Sequence, residues 1–234
     1  MLGKLARRFG TLAFGGNCYL CRGAAEGPLC VECDADLPRL PTPRCPSCAL
    51  ASSSGAVCGR CLAAAPAYDG TIAALAYEFP ADVLVQALKF RSELALAPLL
   101  AGLLVSQLPR GVRVDHILPV PLSAARLRER GFNQALEIAR HVAAATGCKL
   151  APTLAERSRD TPAQIDLPLA ERAKNVRGAF HCPRLVAGAT VAVLDDVMTT
   201  GATLGEMAAT LKRAGAARVE NWVIARTFPH TPAY

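Results

Sequence analysis

Hydrophobic positions beyond residue 66 fall into segments that alternate between the periods of strands and helices. Apolar or alternating runs of strand length occupy residues 71–79, 114–118, 191–194 and 218–226. Apolar residues at helical spacing occupy residues 82–89, 94–108, 132–145 and 204–211. Asp82 is expected to cap the first helix, and Gly147 and Gly215 are expected to close the last two. Strands that alternate with helices indicate an α/β fold, in which helices flank a parallel sheet.

The first 66 residues follow a different pattern and are predicted to form a separate module. They contain few large apolar residues, so they cannot build a sizeable core unaided. The small residues at 63–66 are typical of a linker. We therefore divide the chain into a cysteine-rich module, residues 1–66, and a larger domain, residues 67–234, a division that a chain of 234 residues can accommodate.

Eight of the ten cysteines form four Cys-x-x-Cys pairs in this module. The pairs are Cys18/Cys21, Cys30/Cys33, Cys45/Cys48 and Cys58/Cys61. Two residues between thiolates let a tight turn place both sulfurs on one tetrahedral ion, and metal binding supplies folding energy that this segment lacks. We predict two structural zinc sites. Sequential sites, made by the first four cysteines and then the last four, follow from the short spacings between pairs, and interleaved sites are the alternative.

Other uses of the cysteines fit the pattern less well. Disulfides are disfavoured because nothing marks the chain as secreted. A redox pair requires one Cys-x-x-Cys beside a βαβ unit and not four in series. Four-cysteine sets made of two separated pairs are more typical of zinc than of an iron–sulfur cluster. The isolated Cys148 and Cys182 are interpreted as small hydrophobic residues.

The segment 191–203 carries the most specific chemical signal in the chain. Residues 191–194 have the composition of a strand buried on both faces, and Asp195 and Asp196 stand where that strand would end. The two carboxylates can accept hydrogen bonds from ribose hydroxyls, and the turn and helix N-terminus that follow can surround a phosphate. The turn consists of Thr199, Thr200, Gly201, Ala202 and Thr203. An ordinary strand-to-helix turn with solvated acids is the alternative, but the combination in one register favours a binding site.

A basic cluster follows the predicted strand at 114–118. Pro119 and Pro121 prevent this strand from continuing, and three arginines then alternate along the chain just before a helix. Guanidinium groups bind phosphate oxygens in pairs, so the cluster is a candidate clamp for pyrophosphate, with a solvated loop as the alternative. Asn133 and Gln134 are expected to reach polar atoms of a ligand. The arginines are Arg126, Arg128 and Arg130.

Charge and hydropathy restrict the partners and the location. The formal net charge is +7, but eight thiolates and two zinc ions would contribute about −4, leaving about +3. The basic composition is therefore weak evidence for a nucleic-acid partner. No apolar run has the length of a spanning helix, and the apolar stretch near the start is too short for a secretory signal, so we expect a cytoplasmic protein without a transmembrane segment.

Segment 191–203 resembles the phosphoribosyl-pyrophosphate (PRPP) signature of type I phosphoribosyltransferases. The chain as a whole, over about residues 17–228, resembles the ComF family of competence-associated proteins. Beside this signature, the resemblance is carried by the eight-cysteine module, by Leu88-Lys-Phe90, by Val120-Pro-Leu with Arg130-Gly-Phe-Asn-Gln134, and by residues 157–180. It implies a type I phosphoribosyltransferase-like parallel sheet flanked by helices and preceded by a small double zinc ribbon.

The resemblance also implies a ligand and roles for the candidate residues. The ligand would be PRPP or a related phosphorylated ribose, bound with Mg²⁺; residues 199–203 would hold its 5-phosphate and the two aspartates its ribose. Residues 155–178 occupy the position of a mobile lid, although their arginines are surface charges in the alternative interpretation. The arginines expected to face the pyrophosphate are Arg126, Arg128, Arg130, Arg157 and Arg159.

Three functions are compatible with this resemblance. The first is a Mg²⁺-dependent enzyme that transfers a phosphoribosyl group to an unidentified nitrogenous acceptor. The second is a non-catalytic protein that handles single-stranded DNA with the competence machinery and uses the PRPP fold as a platform. The third is a regulator that senses PRPP. Nucleotide sites of the P-loop and Rossmann types are not expected, because neither glycine motif occurs in the chain.

Overall fold

A four-stranded parallel sheet forms the centre of the part of the chain that the computed structural model describes, residues 15–159, 175–183 and 185–228. Its strands, in spatial order, are β1 (Gly70–Ala76), β6 (Arg218–Arg226), β5 (Thr190–Met198) and β2 (His116–Pro119). Strand β5 is therefore central, with β6 on one side and β2 on the other. The parallel α/β fold expected from the alternating pattern is confirmed.

Helices pack on both faces of this sheet. In the larger domain, the helices whose limits the structure describes are α3 (Ala81–Arg91), α4 (Ala97–Val105), α5 (Ala124–Arg130), α6 (Gln134–Thr146) and α7 (Ala202–Arg213). Residues of α3, α4 and α6 share one core with Ala192 and Leu194 of β5. Residues of α7 share the opposite core with Val191 and Val193. Alternate side chains of the apolar run thus enter different cores, which is why every one of them is apolar.

Several helix ends differ from the sequence expectation. Asp82 lies inside the first turn of α3, where its carboxylate accepts a hydrogen bond from the amide of Val83, and Pro80 occupies the cap position. The helix predicted at 94–108 is divided into a 3₁₀ turn, Leu94–Leu96, and α4. Pro98 explains this division, because proline lacks the N–H that a continuous helix would need and fits the first turn of a new one.

Two segments around the candidate site also have more regular structure than expected. Strand β5 continues through Asp195 and Asp196 to Met198, because its pairing with β6 extends to Arg226. Residues 124–130, to which no helix or strand was assigned from the sequence, form helix α5, which is capped by the Ser123 hydroxyl and closed by Gly131 in the left-handed conformation. The charged sequence of α5 lacks an apolar stripe, so periodicity could not reveal this helix.

A two-stranded antiparallel sheet joins the ends of the segment predicted to be a lid. It pairs β3 (Glu156–Arg157) with β4 (Phe180–His181). Residues 160–174, which make up most of that segment, lie outside the described residues.

The cysteine-rich module contains the same local structure twice. In each half, the first Cys-x-x-Cys pair lies in a tight turn closed by an antiparallel bridge, Asn17 to Ala24 or Arg44 to Ala51. The second pair begins at the N-cap of a short helix, α1 (Val31–Ala35) or α2 (Gly59–Ala63). This repeat extends beyond the cysteine spacing that was visible in the sequence.

The two halves of the module pack against opposite faces of the sheet. The first half contributes Tyr19 and Leu37 to the core that contains α3, α4 and α6. The second half contributes Cys45 and Cys48 to the core that contains α7. Across the ranges described, none of the helices combines the length and apolar composition needed to span a bilayer.

Candidate functional site

Two adjacent carboxylates of β5 lie at the carboxyl end of the sheet. Asp196 is only 4% exposed, and its Oδ2 lies 3.2 Å from Nζ of Lys89 in the last turn of α3. Its Oδ1 accepts a hydrogen bond of 2.8 Å from the amide of Val197. Asp195 is half-buried and accepts a bond of 2.9 Å from the amide of Asp196. The two acids therefore have different surroundings, although they are neighbours in the chain.

The difference in surroundings separates the pKa values of the two acids. Burial, followed by the charge of Asp196, raises the pKa of Asp195 well above its ordinary value. Burial also opposes ionisation of Asp196, but the nearby ammonium of Lys89 outweighs it and lowers the pKa of this carboxyl. Asp196 is thus the ionised partner of Lys89. The ionised form of Asp195, in contrast, would be stabilised by a ligand that supplies hydroxyl donors or positive charge.

The turn after β5 forms a pocket next to these acids. Asp195, Met198 and the turn residues Thr199, Gly201 and Thr203 are among those that line it. Gly201 has a φ of +85°, a left-handed conformation that glycine adopts without strain. Helix α7 begins directly after it and has no side-chain cap hydrogen bond. The amide of Ala202 donates a hydrogen bond of 3.2 Å to Oγ1 of Thr200. The N-terminus of α7 as a whole still presents the positive end of the helix dipole to the pocket, which suits an anion such as a phosphate.

The arginines of α5 lie on two different sides of the helix. Arg126 and Arg130 are four residues apart, share one face and are partly buried, whereas Arg128 is exposed on the other side. Burial lowers the pKa of Arg130, and the charges of Asp196 and Asp195 oppose this lowering. Its guanidinium donates a hydrogen bond of 3.1 Å to Oε1 of Gln134. Arg130 is thus within electrostatic range of the acidic pair.

The two arginines assigned to the lid lie near its beginning and contact residues at its end. The guanidinium of Arg157 stands over the ring of Phe180, 5.6 Å from its centroid. Arg159 donates a hydrogen bond of 2.8 Å to the carbonyl oxygen of Arg177. Both contacts join the beginning of the segment to its end. The role of these two residues toward a ligand stays a prediction, and residues 160–174 of the segment lie outside the described residues.

The eight module cysteines form two separate groups of four. The groups are Cys18, Cys21, Cys30 and Cys33, and Cys45, Cys48, Cys58 and Cys61. Within each group, all four sulfur atoms lie within 4.8 Å of one another. The structure therefore groups the cysteines sequentially and not in the interleaved order. All ten cysteines have free thiols.

The sulfur positions fit a tetrahedral zinc ion. A Zn–S bond of about 2.3 Å places neighbouring sulfurs of a tetrahedron about 3.8 Å apart. The Sγ atoms of Cys21 and Cys30 are 3.7 Å apart, as are those of Cys48 and Cys58. The donor set is four thiolates, which is typical of structural zinc. Each group could hold one zinc ion with little rearrangement.

Electrostatics also favour a cation at both groups. Burial alone would raise the pKa of Cys18 and Cys45, but backbone amides that donate to their sulfurs outweigh it and lower both values to about 6. Burial, followed by the neighbouring cysteines, raises the pKa of Cys33 and Cys61. Four thiolates at this distance repel one another, so a bound dication would stabilise the fully ionised group.

Known proteins with similar sequences identify the family. Residues 128–228 match the family profile described as Phosphoribosyl transferase domain. The chain is 35% identical over 222 residues to DNA utilization protein YhgH of Salmonella typhimurium (strain LT2), covering 91% of this chain and 97% of that protein. It is 29% identical over 226 residues to Competence protein F of Haemophilus influenzae, covering 91% and 98%. The chain belongs to the ComF family.

Solved structures contribute less to this assignment. UMP synthase of Leishmania donovani aligns at 20% identity and a TM-score of 0.34, covering 61% of this chain and 24% of that one. An allosteric regulatory enzyme of purine biosynthesis aligns at 25% identity and a TM-score of 0.36, covering 54% and 25%. Such TM-scores are too low to carry an argument. The sequence relatives and the two four-cysteine groups support the ComF assignment.

Lys89 and Phe90 belong to the surroundings of the site but were not assigned a role from the sequence. In this ComF-family chain, Lys89 pairs with Asp196, and Phe90 is 60% exposed between two cations. Arg130 lies 5.4 Å from the ring centroid of Phe90, and Nζ of Lys89 lies 5.9 Å from it. From the sequence, the segment Leu88-Lys-Phe90 was noted only for its resemblance to the family. An exposed phenylalanine after a lysine in the last turn of a helix was the available signal.

Asn133 and Gln134, which the sequence suggested as ligand contacts, make hydrogen bonds within the protein. The side chain of Asn133 caps α6, accepting bonds from the amides of Ala135 and Leu136 and donating to the carbonyl of Val120. Gln134 is buried and accepts the hydrogen bond from Arg130. These contacts fix the start of α6 and the orientation of Arg130.

Proposed function

We propose that this ComF-family protein binds PRPP and transfers its phosphoribosyl group to a nitrogenous acceptor. The observation that carries the proposal is the pocket in which Asp195 lies beside the N-terminus of α7 and the Gly201 turn. An acidic group and an anion site within one pocket match the two chemically different ends of a ribose 5-phosphate. The phosphoribosyl transferase profile and the family relatives add independent support.

The proposed roles follow from these positions. The amides and hydroxyls of residues 199–203 would hold the 5-phosphate, and Asp195 and Asp196 would accept hydrogen bonds from the ribose hydroxyls. Arg130 and Arg126 would face the pyrophosphate, and Arg157 and Arg159 would approach it from the lid. Mg²⁺ bound to pyrophosphate oxygens would supply charge neutralisation for the leaving group, because magnesium binds substrate phosphates with few protein ligands. In this proposal Arg128, which is exposed on the other side of α5, does not contact PRPP.

The protein's contribution to the reaction would be positioning and charge. Breaking the bond between the anomeric carbon and pyrophosphate leaves negative charge on the leaving group, which the arginines stabilise. A closed lid would exclude water, which otherwise competes with the acceptor nitrogen. Such a reaction would take place in the cytoplasm, where PRPP is available.

The test is release of pyrophosphate from PRPP. Zinc-loaded full-length protein is incubated with PRPP, Mg²⁺ and a panel of nucleobases and simple amines, and pyrophosphate is quantified by a coupled assay. We expect release with at least one acceptor, and at least a tenfold lower rate for Asp195→Asn. PRPP that binds without being consumed in the presence of any acceptor would contradict the transferase and favour a PRPP-sensing regulator.

We further propose that each four-cysteine group holds one structural zinc ion. Metal analysis of the purified protein should give two zinc equivalents per chain, and Cys21→Ser or Cys58→Ser should each remove one of them. Iron, or a single equivalent shared between the groups, would contradict this assignment.

A second function, binding of single-stranded DNA, is favoured by one further observation. Phe90 is an exposed aromatic ring flanked by Lys89 and Arg130, and single-strand sites combine stacking rings with cations. The relatives are named for DNA utilization and competence. This protein would then handle single-stranded DNA together with other competence proteins.

Fluorescence anisotropy with a labelled oligothymidine tests this second function. Phe90→Ala should weaken binding about tenfold, whereas Leu62→Ala, which removes an exposed apolar side chain of α2, should not. Affinity should fall steeply as salt rises. Equal binding by both variants, or binding that salt does not weaken, would contradict single-strand recognition at this surface.

A further inference from the structure

A buried arginine connects the proposed phosphate turn to the second cysteine group. Arg226, the last residue of β6, is 1% exposed. Its Nε donates a hydrogen bond of 2.9 Å to the carbonyl oxygen of Cys48, and its Nη1 donates one of 2.9 Å to that of Met198. Nη1 also donates to the carbonyl oxygens of Thr199 and Thr227. One guanidinium therefore joins a cysteine of the module to the first residues of the turn.

The charge of Arg226 lacks a carboxylate partner in the ranges that the structure describes. The acceptors of its hydrogen bonds are neutral carbonyl oxygens, and it takes part in none of the ion pairs found there. Buried charges are normally compensated by an opposite charge. The second cysteine group lies in the same core, and four thiolates around one dication carry a net charge of about −2. A loaded cluster would therefore supply the counter-charge to Arg226.

A tyrosine makes a second connection between the same two parts. Tyr68 is buried in the core that contains Cys45, Cys48 and Cys61 together with Met198. Its Oη lies 3.0 Å from the position that a Cβ would occupy on Gly201. The ring thus packs between the cysteine group and the glycine of the turn. Together with the Arg226 hydrogen bonds, this contact supports the inner side of residues 198–201.

We propose that Arg226 and Tyr68 are positioning residues through which the second cysteine group holds the turn at residues 199–201 in its anion-binding conformation. The contacts hold the carbonyl oxygens of Met198 and Thr199, and residues Met198, Thr199 and Gly201 also line the pocket. Loss of metal from this group would remove the counter-charge of Arg226 and loosen the turn. The consequence for PRPP rests on the proposed function, whereas the coupling between cluster and turn does not.

The first cysteine group provides an internal control. Its neighbours Tyr19 and Leu37 pack on the opposite core of the sheet, together with α3 and α4. Metal loss at that group should therefore destabilise the module without affecting the turn. The same fold thus contains one cluster with the proposed coupling and one without it.

Hydrogen–deuterium exchange of the zinc-loaded full-length protein tests the coupling without any ligand. Cys61→Ser removes a ligand of the second group, and Cys33→Ser removes one of the first. We expect Cys61→Ser to increase exchange of peptides that cover residues 197–204 about tenfold, and Cys33→Ser to leave those peptides unchanged. Equal effects of the two variants, or no effect of Cys61→Ser on these peptides, would overturn the proposal.

Variants that retain all eight cysteines keep the test decisive if a cysteine variant does not fold. Arg226→Lys places its charge at one point and cannot reach all four carbonyls, and Tyr68→Phe removes the hydroxyl next to Gly201. Both should keep two zinc equivalents, increase exchange of residues 197–204 and leave residues 191–194 protected. Arg218→Met, at the exposed beginning of β6, is the matched control. An unchanged turn in both variants would overturn the coupling.

PRPP binding separates failure of the coupling from failure of the proposed function. Calorimetry with PRPP and Mg²⁺ should show about tenfold weaker binding for Arg226→Lys and none of this loss for Arg218→Met. If PRPP does not bind even to the unaltered protein while the exchange pattern is as expected, the coupling stands and the proposed function fails. If PRPP binds equally to all variants, the positioning role fails.

Discussion

At the scale of single residues, the two adjacent aspartates have opposite effects on stability. The pKa of Asp195 is raised, so any stability it contributes is present below the ordinary value near 3.8 and is lost as pH rises through the raised value. The pKa of Asp196 is lowered, so its contribution is present above that ordinary value and is lost as pH falls through the lowered one. A side chain retained at a cost in stability is typical of a binding site.

Amide substitutions of the two acids should therefore shift stability in opposite directions. At pH 7, Asp195→Asn should stabilise the fold by about 1 kcal/mol, because it removes a half-buried charge next to Asp196. Asp196→Asn should destabilise it by at least as much, because Lys89 loses its buried partner. The difference for Asp195 should shrink as pH falls toward the ordinary value near 3.8, whereas that for Asp196 should shrink only as pH falls further, through its lowered pKa. Denaturant unfolding at pH 7 and pH 3.5 measures them, and equal signs at pH 7 would contradict the electrostatic assignment.

Gly201 offers a matched comparison with another glycine of the same segment. A Cβ at Gly201 would stand 2.8 Å from Cε of Met198 in a backbone conformation with φ +85°, whereas a Cβ at Gly205, inside α7, would meet no atom within 4 Å. Gly201→Ala should cost about 1–2 kcal/mol and weaken binding of PRPP. Gly205→Ala should stabilise α7 by up to about 1 kcal/mol. Thermal unfolding checks both, and similar shifts for the two variants would contradict the close packing of the turn.

At the scale of elements, the prediction from sequence was most accurate where the pattern reflects burial. Strand β6 has the predicted limits, 218–226, because its residues are almost all buried and its neighbours are turns. The apolar half of β5 was recognised for the same reason. Its continuation through Asp195 to Met198 was not, because the pairing with β6 that maintains the strand is a long-range contact.

Hydrophobic periodicity could predict neither the helix that holds the arginine cluster nor the connection through Arg226. Helix α5 follows from its caps, Ser123 and Gly131, and not from an apolar stripe. The helical geometry of α5 decides which arginines share a face. Their alternate spacing along the chain did not indicate this. Arg226 and Cys48 are 178 residues apart, and no periodicity relates them. The caps of α5 are local signals that hydrophobic periodicity does not include, whereas the connection through Arg226 arises from tertiary packing.

The geometry of α5 leads to a prediction for its three arginines. Arg126→Met and Arg130→Met should each weaken PRPP binding about tenfold, because both side chains share the face near the acidic pair. Arg128→Met should change it by less than about twofold, since its side chain is exposed on the other side of the helix. Calorimetry with PRPP and Mg²⁺ measures the three variants. An effect of Arg128→Met equal to that of Arg130→Met would contradict the orientation of α5.

At the scale of the whole molecule, the cysteine-rich module and the sheet share both of their cores. Tyr19 and Leu37 enter one core, and Cys45, Cys48 and Tyr68 enter the other. The module is therefore part of the support of the larger domain as well as a separate sequence segment. This relation was not visible in the sequence, where a short linker indicated only the boundary between the module and the larger domain.

Metal removal should consequently affect more than the module. Chelation of zinc at pH 7 should lower the melting temperature of the full chain and loosen the 199–203 turn, because the second group supports it through Arg226. Restoring zinc should reverse both changes. Calorimetric unfolding with and without chelator measures the effect. A larger domain that unfolds at the same temperature without metal would contradict the prediction that the module stabilises it.

The most direct test of the central claim is calorimetric titration of the zinc-loaded protein with PRPP in the presence of Mg²⁺. We expect one saturable site per chain, and at least a tenfold loss of affinity when Asp195→Ala and Asp196→Ala are combined. Glu137→Gln, which removes an acid from α6 that pairs with Arg140, should bind as the unaltered protein does. A double aspartate variant that keeps its fold and both zinc ions and still binds PRPP with undiminished affinity would contradict the site.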